Sequence, residues 1–590
     1  MRLLAQCRPS AVASTPGWPW GRSMYYGVKI ASRAYRKLTN EHVDSALVRK
    51  LQSAFAHARP NRVNIVSPKL CDDIVQQLSP FLNRNAPTDI LDICPGTGLL
   101  SAKINEALQP RRHVLLETRE RHFRDMLSPL TSRPGIILTN IDIPKSGHID
   151  WGALAWNNIA APEETAKPQT RNDRLLVLAN LTDNSLDPAA TLLARFIEDG
   201  LRRTGLQRYG LVRIVACVPP SEGELVLPRT VTDRGRIGMV VEPVTRHLIS
   251  IAESDANEEL LCRRDDRLVK ESASTIARQM TAGGIKVPEG RERPPIPEGL
   301  GWTSKRPGES RSNEARRLET YSRRMEFADK QTAVDLLEAQ ITALTVDLHA
   351  TPQELSLPQM ISLRNQVKQE LEEGRVSNYE STVDNRRATR LNSSDLERRG
   401  LTKPVLAWDR RPFEPLYIHR GELWPPEREL SVLYFEPARK SRIFDALLAP
   451  DGQPRQVEIS MYLAVLYSLA KRSSDSLADT LRRMFPTKSI QDTIHDVPSL
   501  FYHVPKLPLE DLDVRKKSPA QKGVPNVDWF EFFPDEVRLR TLPFGTIHDL
   551  IMAYLKSPYA PKSLTQIYRT LGGDLTIADS ELIVGSSEPE

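Results

Sequence analysis

The stretch from Thr88 to Glu117, TDILDICPGTGLLSAKINEALQPRRHVLLE, leaves this chain few ways to fold. Ile90–Ile93 is apolar apart from Asp92 and lies between a polar turn and a glycine-bearing loop, which reads as a buried strand. Pro95, Gly96, Thr97 and Gly98 turn the chain tightly, Leu99–Leu108 has helical spacing, and Val114–Leu116 is a second strand tipped by Glu117. A strand, a glycine loop, a helix and a second strand ending on an acid open a nucleotide-binding α/β sheet. The glycines let backbone approach a ligand, and the acid can hold two ribose hydroxyls; the spacing from Asp92 to Glu117 suits that role. The bland alternative is an ordinary βαβ unit, against which the terminal acid weighs.

At 590 residues the chain has room for two or three domains, and 40% hydrophobic with 26% charged residues is a globular balance. A net charge of +6 and a pI near 8.9 are compatible with nucleic acid without requiring it. No apolar run approaches a membrane span. Cys7, Cys71, Cys94, Cys217 and Cys262 are scattered with no CxxC pair, which argues against a disulfide framework and a zinc site. The first forty residues hold seven Lys and Arg and no acid, interleaved with Ser, Ala and aromatic residues, the composition of a mitochondrial transit peptide.

Residues 41–87 read as helical, with Pro68 opening a helix through Leu70, Ile74 and Leu78. A third strand is expected at Ile136–Leu138; Asp142 beyond it could hydrogen-bond an adenine amino group. Residues 144–173 read as a polar loop, Arg174–Ala179 as a fourth strand ending at Asn180-Leu181-Thr182-Asp183, Ala189–Arg202 as a helix, Gly210–Val218 as a strand, and 227–253 as more sheet. Lys286–Gly308, rich in Pro and Gly, reads as a linker. Beyond it Val334, Leu337, Ile341, Leu344 and Leu348 mark one face of a long helix, flanked by Arg316, Arg317, Arg323 and Arg324 before and Arg386, Arg387, Arg390, Arg398 and Arg399 after. Leu430–Phe435 is a strand, 457–590 is largely helical, and the last twenty residues read as frayed.

Several blocks together resemble the rRNA adenine N6-dimethyltransferase family, in particular its fungal mitochondrial transcription factor B branch: LDICPGTGLLS, HVLLETRERH, VLANLTDN, QRYGLVRIVACVPPSEG, LAWDRRPFEPL, LWPPERELSVLYFEP and LYSLAKRSSDSLADTLRRMFP. Asp92 to Gly98 is similar to a methyltransferase loop rather than a dehydrogenase GxGxxG. The resemblance covers about 60–250 and 404–490. It implies an α/β fold: a Rossmann-like class I methyltransferase domain at 41–253, a helical insertion at 254–403, a return to the sheet at 404–456 and a smaller C-terminal helical domain at 457–590. It also implies a basic cleft for nucleic acid between the domains, where Trp408, Arg410 and Arg411 would lie. The alternative for these three is that Trp408 packs in the core and the arginines pair with Asp409 and Glu414.

By the same resemblance Ile65, Asp92, Cys94, Gly96, Gly98, Glu117, Asp142 and Asn180 would line a site for S-adenosyl-L-methionine, with Glu117 on the ribose. Asn180 would stand beside the target base as a vestigial catalytic residue. Family members that transfer methyl groups carry N-L-P-Y/F after the fourth strand; here Thr182 and Asp183 replace the proline and the stacking ring. Cys94 replaces the first loop glycine, and the family's Q-N-F-L segment is not recognisable at Arg62–Ile65. These departures imply weak or vestigial cofactor binding. Two readings follow. The first is a mitochondrial transcription initiation factor that binds the mitochondrial RNA polymerase and promoter DNA in the matrix, monomeric before assembly. The second is an rRNA adenine dimethyltransferase of the mitochondrial small ribosomal subunit, favoured by the intact Gly96-Thr97-Gly98 and Glu117. Deleting residues 1–40 is expected to leave the protein in the cytosol; imaging or fractionation that still finds it in mitochondria removes the transit-peptide reading.

Overall fold

A computed structural model describes residues 42–58, 62–142, 149–159, 171–254, 266–293, 404–508 and 530–572, apart from short gaps within these ranges. The presequence, the long helical pattern with its basic flanks and the last residues lie outside the described residues.

The centre is an eight-stranded sheet of order β4-β3-β2-β5-β6-β10-β7-β8. Its strands are β2 (Asp89–Ile93), β3 (Arg112–Glu117), β4 (Ile136–Asn140), β5 (Arg171–Asn180), β6 (Leu211–Val218), β7 (Thr245–Glu253), β8 (Leu416–Tyr417) and β10 (Ser431–Pro437). The first five run parallel. β10 lies antiparallel between β6 and β7, with Tyr434 opposite Val215 on one side and Ile249 on the other. A two-stranded ladder pairs β1 (Asn64–Ile65) with β9 (Leu423–Trp424).

The sheet is covered on both faces, so its central strands are apolar almost throughout rather than alternating. Ile90, Leu176, Leu178, Val215 and Val432 face a core with Leu70, Ile74 and Leu78 of the helix Pro68–Leu82. Leu91, Ile93, Val177, Ala179 and Ile214 face the other way, onto Leu193, Phe196 and Ile197 of the helix Ala189–Arg202. That second core continues without a break into the C-terminal helices Gln456–Lys471 and Phe544–Lys556, through Tyr462, Leu463, Leu466, Ile547 and Leu550. Each fully buried Leu or Ile contributes about 1.5–3 kcal/mol, so the C-terminal helices are welded to the sheet region rather than set across an open cleft.

The α/β expectation holds, and the helices Leu99–Leu108 and Ala189–Arg202 fall where their periodicity placed them. Four stretches differ. Residues 41–87 hold a helix at Ser45–Ala54 and the short strand β1 as well as the helix at Pro68. The stretch 144–173 contains a helix, Trp151–Asn158, capped by Asp150 and anchored by the buried Trp151, and Arg171–Asp173 extends β5 because Arg171 is buried against Glu436. Residues 227–253 include the helix Arg236–Val241 before β7. In 254–293 a helix spans Asp266–Gly283, and the described start of the expected linker is packed rather than free.

Arg291 shows why. Its Nε donates to Asp73 at 2.8 Å and its Nη2 to Glu422 at 2.7 Å, with all three side chains buried. It thus ties the helix Pro68–Leu82 to the turn before β9. Removing one member of a buried ion cluster leaves uncompensated charge and costs about 3–5 kcal/mol. Arg291→Ala is expected to lower the unfolding free energy by that amount in denaturant titrations; a loss under about 0.5 kcal/mol, the range of surface changes, would return the segment to the status of a linker.

Candidate functional site

The loop after β2 turns through three left-handed residues in five: Cys94 at φ +59°, Gly96 at +60° and Gly98 at +70°. Glycine adopts this conformation freely, whereas a side chain there costs roughly 1–2 kcal/mol. Cys94 is held in it by its N–H bond to Leu116 O at 2.7 Å, with its thiol fully buried. Burial pushes the Cys94 thiol up to about 12, which rules it out as a nucleophile.

Glu117 sits at the tip of β3 with no exposed surface. Its oxygens accept from Gly96 N at 3.0 Å and Arg119 N at 2.9 Å. Both also accept from Arg62 Nη1, at 3.0 and 2.8 Å. A carboxylate offers about four acceptor directions, so none is left for a ribose. Arg62, 2% exposed, also donates through Nη1 to Cys94 O and through Nη2 to Thr118 Oγ1 at 3.0 Å and Asp183 Oδ2 at 3.1 Å, and its guanidinium lies 5.3 Å from the centre of the Phe123 ring. Burial alone would push the Arg62 pKa down; the carboxylates around it push it up instead.

The tetrad after β5 is engaged with the same segment. Asn180 Nδ2 donates to Val63 O at 2.9 Å, and Asn180 Oδ1 accepts from Thr182 Oγ1 at 2.7 Å. Thr182 Oγ1 in turn accepts from Val63 N at 2.9 Å. Asp183 accepts from Arg62, from Ser185 N at 2.9 Å and from Ser185 Oγ, and stands 3.4 Å from Arg119 Nε. Burial raises the Asp183 pKa, but Arg62, Ser185 and Arg119 outweigh it and hold the carboxyl below its ordinary value. On the glycine loop, Asn64 Oδ1 accepts from Thr97 N at 3.3 Å and lies 2.2 Å from where a Cβ on Gly96 would be. The approach that the glycine opens is therefore filled by the chain's own Asn64.

Ile65, Asp92, Cys94, Gly96, Gly98, Glu117 and Asn180 thus cluster around the ends of β2, β3 and β5, as the resemblance implies. Asp142 is exposed one residue past Ile141, whose N–H bonds Glu117 O at 3.0 Å. A narrow cavity remains, lined by Asn64, Ile65, Asp92, Thr97, Ser101 and Asn180 among others. Asp92 Oδ2 and the fully buried His113 Nε2 face each other at 3.4 Å beside it. S-adenosyl-L-methionine does not fit against this arrangement with its ribose on Glu117, because Arg62 and Asn64 occupy the acid and the loop. No group of His, Cys, Asp and Glu able to hold a metal is present among the described residues.

The nucleic-acid assignment of Arg411 is corrected. Its side chain is 3% exposed, donates to Trp408 O at 2.7 Å and Glu414 Oε1 at 2.6 Å, and stacks 4.2 Å from the centre of the Trp408 ring, whose other neighbour at 4.2 Å is Arg229. Trp408 is itself core, so this guanidinium cannot meet a phosphate. Arg410 is half exposed and pairs with Glu242 at 3.1 Å rather than with Asp409. Sequence reasoning missed Arg62 and the acid role of Asp183; the only signal was that both stand where the family pattern is broken.

Residues 63–288 match the family described as Ribosomal RNA adenine dimethylase, a range that begins immediately after Arg62. The chain is 26% identical over 175 residues to Mitochondrial transcription factor 1 of Saccharomyces cerevisiae and 25% identical to the protein of the same name from Saccharomyces paradoxus, in each case over 29% of this chain. It spans about half, 48%, of the length of these curated relatives. Among solved structures, a dimethyladenosine transferase from Plasmodium falciparum aligns with a TM-score of 0.22 and 13% identity, over 33% of this chain and 57% of that chain.

Replacing Arg62 by Ala strands Glu117 and Asp183 without a buried counter-charge, so the variant is expected to lose about 3–5 kcal/mol of stability. The pH dependence carries a sign. Because the Asp183 pKa is lowered on folding, its contribution is present above its unfolded value near 3.9 and is lost as pH falls through the folded value. In Arg62→Ala the burial effect is left to dominate, so acid unfolding should begin at a higher pH than in the native protein; coincident acid-unfolding curves would mean that Arg62 is not the counter-charge.

Proposed function

We propose, from a chain whose residues 63–288 match the family described as Ribosomal RNA adenine dimethylase, that the protein is a mitochondrial transcription initiation factor. It binds promoter DNA and the mitochondrial RNA polymerase and transfers no methyl group. The observation that carries this reading is the engagement of Glu117 and Asp183 by Arg62. The acid that would hold a ribose and the position that would stack a target base are both spent on one internal ion cluster. The names of the two relatives support the mitochondrial and transcriptional part.

The chemistry points the same way. N6 methylation needs a base held by stacking and its amine aimed at the methyl donor, with water kept out. Asn180 is bonded to Val63 and Thr182 instead of a base. Asp183 offers a carboxylate where a ring would stack; base–aromatic stacking is worth about 1–3 kcal/mol, roughly one to two decades in rate if expressed in the transition state. Cofactor binding is accordingly vestigial, and the factor works in the matrix as a monomer until it joins the polymerase. No helix among the described residues is long and apolar enough to cross a membrane.

The second reading, rRNA adenine dimethylation in the mitochondrial small subunit, keeps the support of Gly96, Gly98 and Asn180 at the ends of adjacent strands. One experiment separates the two. Purified protein is expected to leave a small-subunit rRNA hairpin unmethylated in the presence of S-adenosylmethionine, and to bind that cofactor undetectably in calorimetry. It is also expected to support promoter-dependent initiation by the cognate polymerase, with Asn180→Ala largely unchanged. Turnover on the hairpin that Asn180→Ala abolishes would replace the transcription factor with the enzyme.

A further inference from the structure

The edge of the sheet opposite the site carries a row of arginines with too few acids to neutralise them. The parallel strands begin there, β7 begins there, and β10 ends there. Thr88 binds the row together: its N–H donates to Arg174 O at 2.9 Å, and its carbonyl accepts from Arg111 N at 2.7 Å. Next to it on β3, Arg112 stands in register with Asp89 of β2. On the other side, Asn85 Nδ2 bonds Asp173 at 2.9 Å, placing Arg84 beside the start of β5. His247 of β7 lies opposite Glu436 of β10, which pairs with Arg171 at 3.1 Å. Burial and the nearby charges of Arg246, Arg84 and Arg171 depress the His247 pKa against the pull of Glu436.

Most acids on this rim are paired with arginines, and Asp199, against Gly205 ahead of β6, is bonded by Thr204. Asp89 binds Arg111 at 2.7 Å, Glu106 binds Arg133 at 2.7 Å, and Asp173 and Glu436 bind Arg171. Arg84, Arg112, Arg174 and Arg246 are exposed and, among the described residues, pair with no carboxylate. A structural explanation covers part of the row. Cations belong at helix C-termini; Arg84 follows the helix Pro68–Leu82, and Arg112 donates to Asn158 O at 2.7 Å in the last turn of Trp151–Asn158. It does not cover Arg174 and Arg246, which sit at strand starts.

We propose that the rim carrying Arg84, Arg112, Arg174 and Arg246 is a second binding surface, one for the phosphate backbone of duplex nucleic acid without regard to sequence. It faces away from the internally filled site. From β3 to β7 the row crosses five strand spacings of about 4.8 Å, or about 24 Å, the length of roughly seven base pairs. Within the row, ahead of β6, Arg208 lies 5.7 Å from the centre of the Tyr209 ring, which packs edge-on against Trp156, adding an exposed cation beside two part-exposed aromatics. Guanidinium groups match phosphate oxygens in pairs and stay charged at any working pH. An acidic protein surface would also be attracted, but exposed cations spread along one edge of the sheet, beside acids that are largely paired already, suit a linear polyanion better.

The inference takes from the proposed function only that nucleic acid is a partner. Its test therefore uses the full chain with a duplex oligonucleotide of mixed sequence, and neither polymerase nor cofactor. The native protein is expected to bind with a steep salt dependence. Arg84→Ala, Arg174→Ala and Arg246→Ala combined should reduce the slope of log affinity against log salt by roughly 2–3 and weaken low-salt binding about tenfold or more. A charge-matched control, Arg455→Ala with Arg482→Ala and Arg569→Ala on the C-terminal helices, should leave the slope in place. An unchanged slope in the rim variant, an equal fall in the control, or no duplex binding by the native protein overturns the assignment. Failure here leaves the transcription assay untouched, and failure of that assay leaves the slope measurement standing.

Discussion

Arg62 lies where two carboxylates with no exposed surface converge, and it is the cation that makes their burial tolerable. Glu117 and Asp183 each lose several kcal/mol of hydration on burial. With Arg62 beneath them and Arg119 at the rim, the cluster holds two acids and two cations and is neutral. The segment that delivers Arg62 is held along its whole length. Val63 is bonded through both backbone groups to the tetrad after β5, residues 64–65 form the ladder with 423–424, and Val66 bonds Asp44 N and Glu422 O. The N-terminal helix, the glycine loop, the tetrad and the turn before β9 therefore all take their positions from one strap and its charge.

Within this frame the departures from the methyltransferase pattern belong together. An arginine at the start of the strap and an aspartate at the end of the tetrad are complementary, and each would be costly alone. Asn64 occupies the approach that Gly96 leaves open. Thr182, which cannot fix the backbone as proline does, instead supplies a hydroxyl that accepts from the strap. Groups that the resemblance assigns to a ligand bond one another in this structure, through Arg62, Asn64 and Thr182.

What could be read in the sequence was what periodicity and turn chemistry encode locally. The buried strand at Ile90–Ile93, the helix at Ala189–Arg202 and the positive-φ glycines of the loop are of this kind. So is Glu117 at a strand tip, since its place follows from the length of the strand. Trp151–Asn158 escaped because two turns of helix inside a polar stretch carry too short a pattern. Arg62 and Arg291 escaped for a different reason. An arginine outside a periodic stretch reads as solvated, and nothing local to Arg62 says that carboxylates 55 and 121 residues away will bury it. Long-range charge pairing is settled only when the fold has brought the partners together.

The position of β10 has a consequence for how the molecule is put together in time. β7 touches the sheet only through β10 and the two residues of β8, and β10 arrives nearly two hundred residues after β7. Until residues 431–437 are present, β6 exposes an open edge and β7 has no place to dock. The amino-terminal half is thus an unfinished sheet for as long as synthesis lags behind the strand that completes it. Once β10 is seated, the chain between the two strands is a closed loop whose entropic cost grows by only about 0.6 kcal/mol for each doubling of its length. Within that stretch β8, β9 and Arg291 are themselves packed on the fold, so a change in its length leaves the sheet closed only where it keeps these three in place.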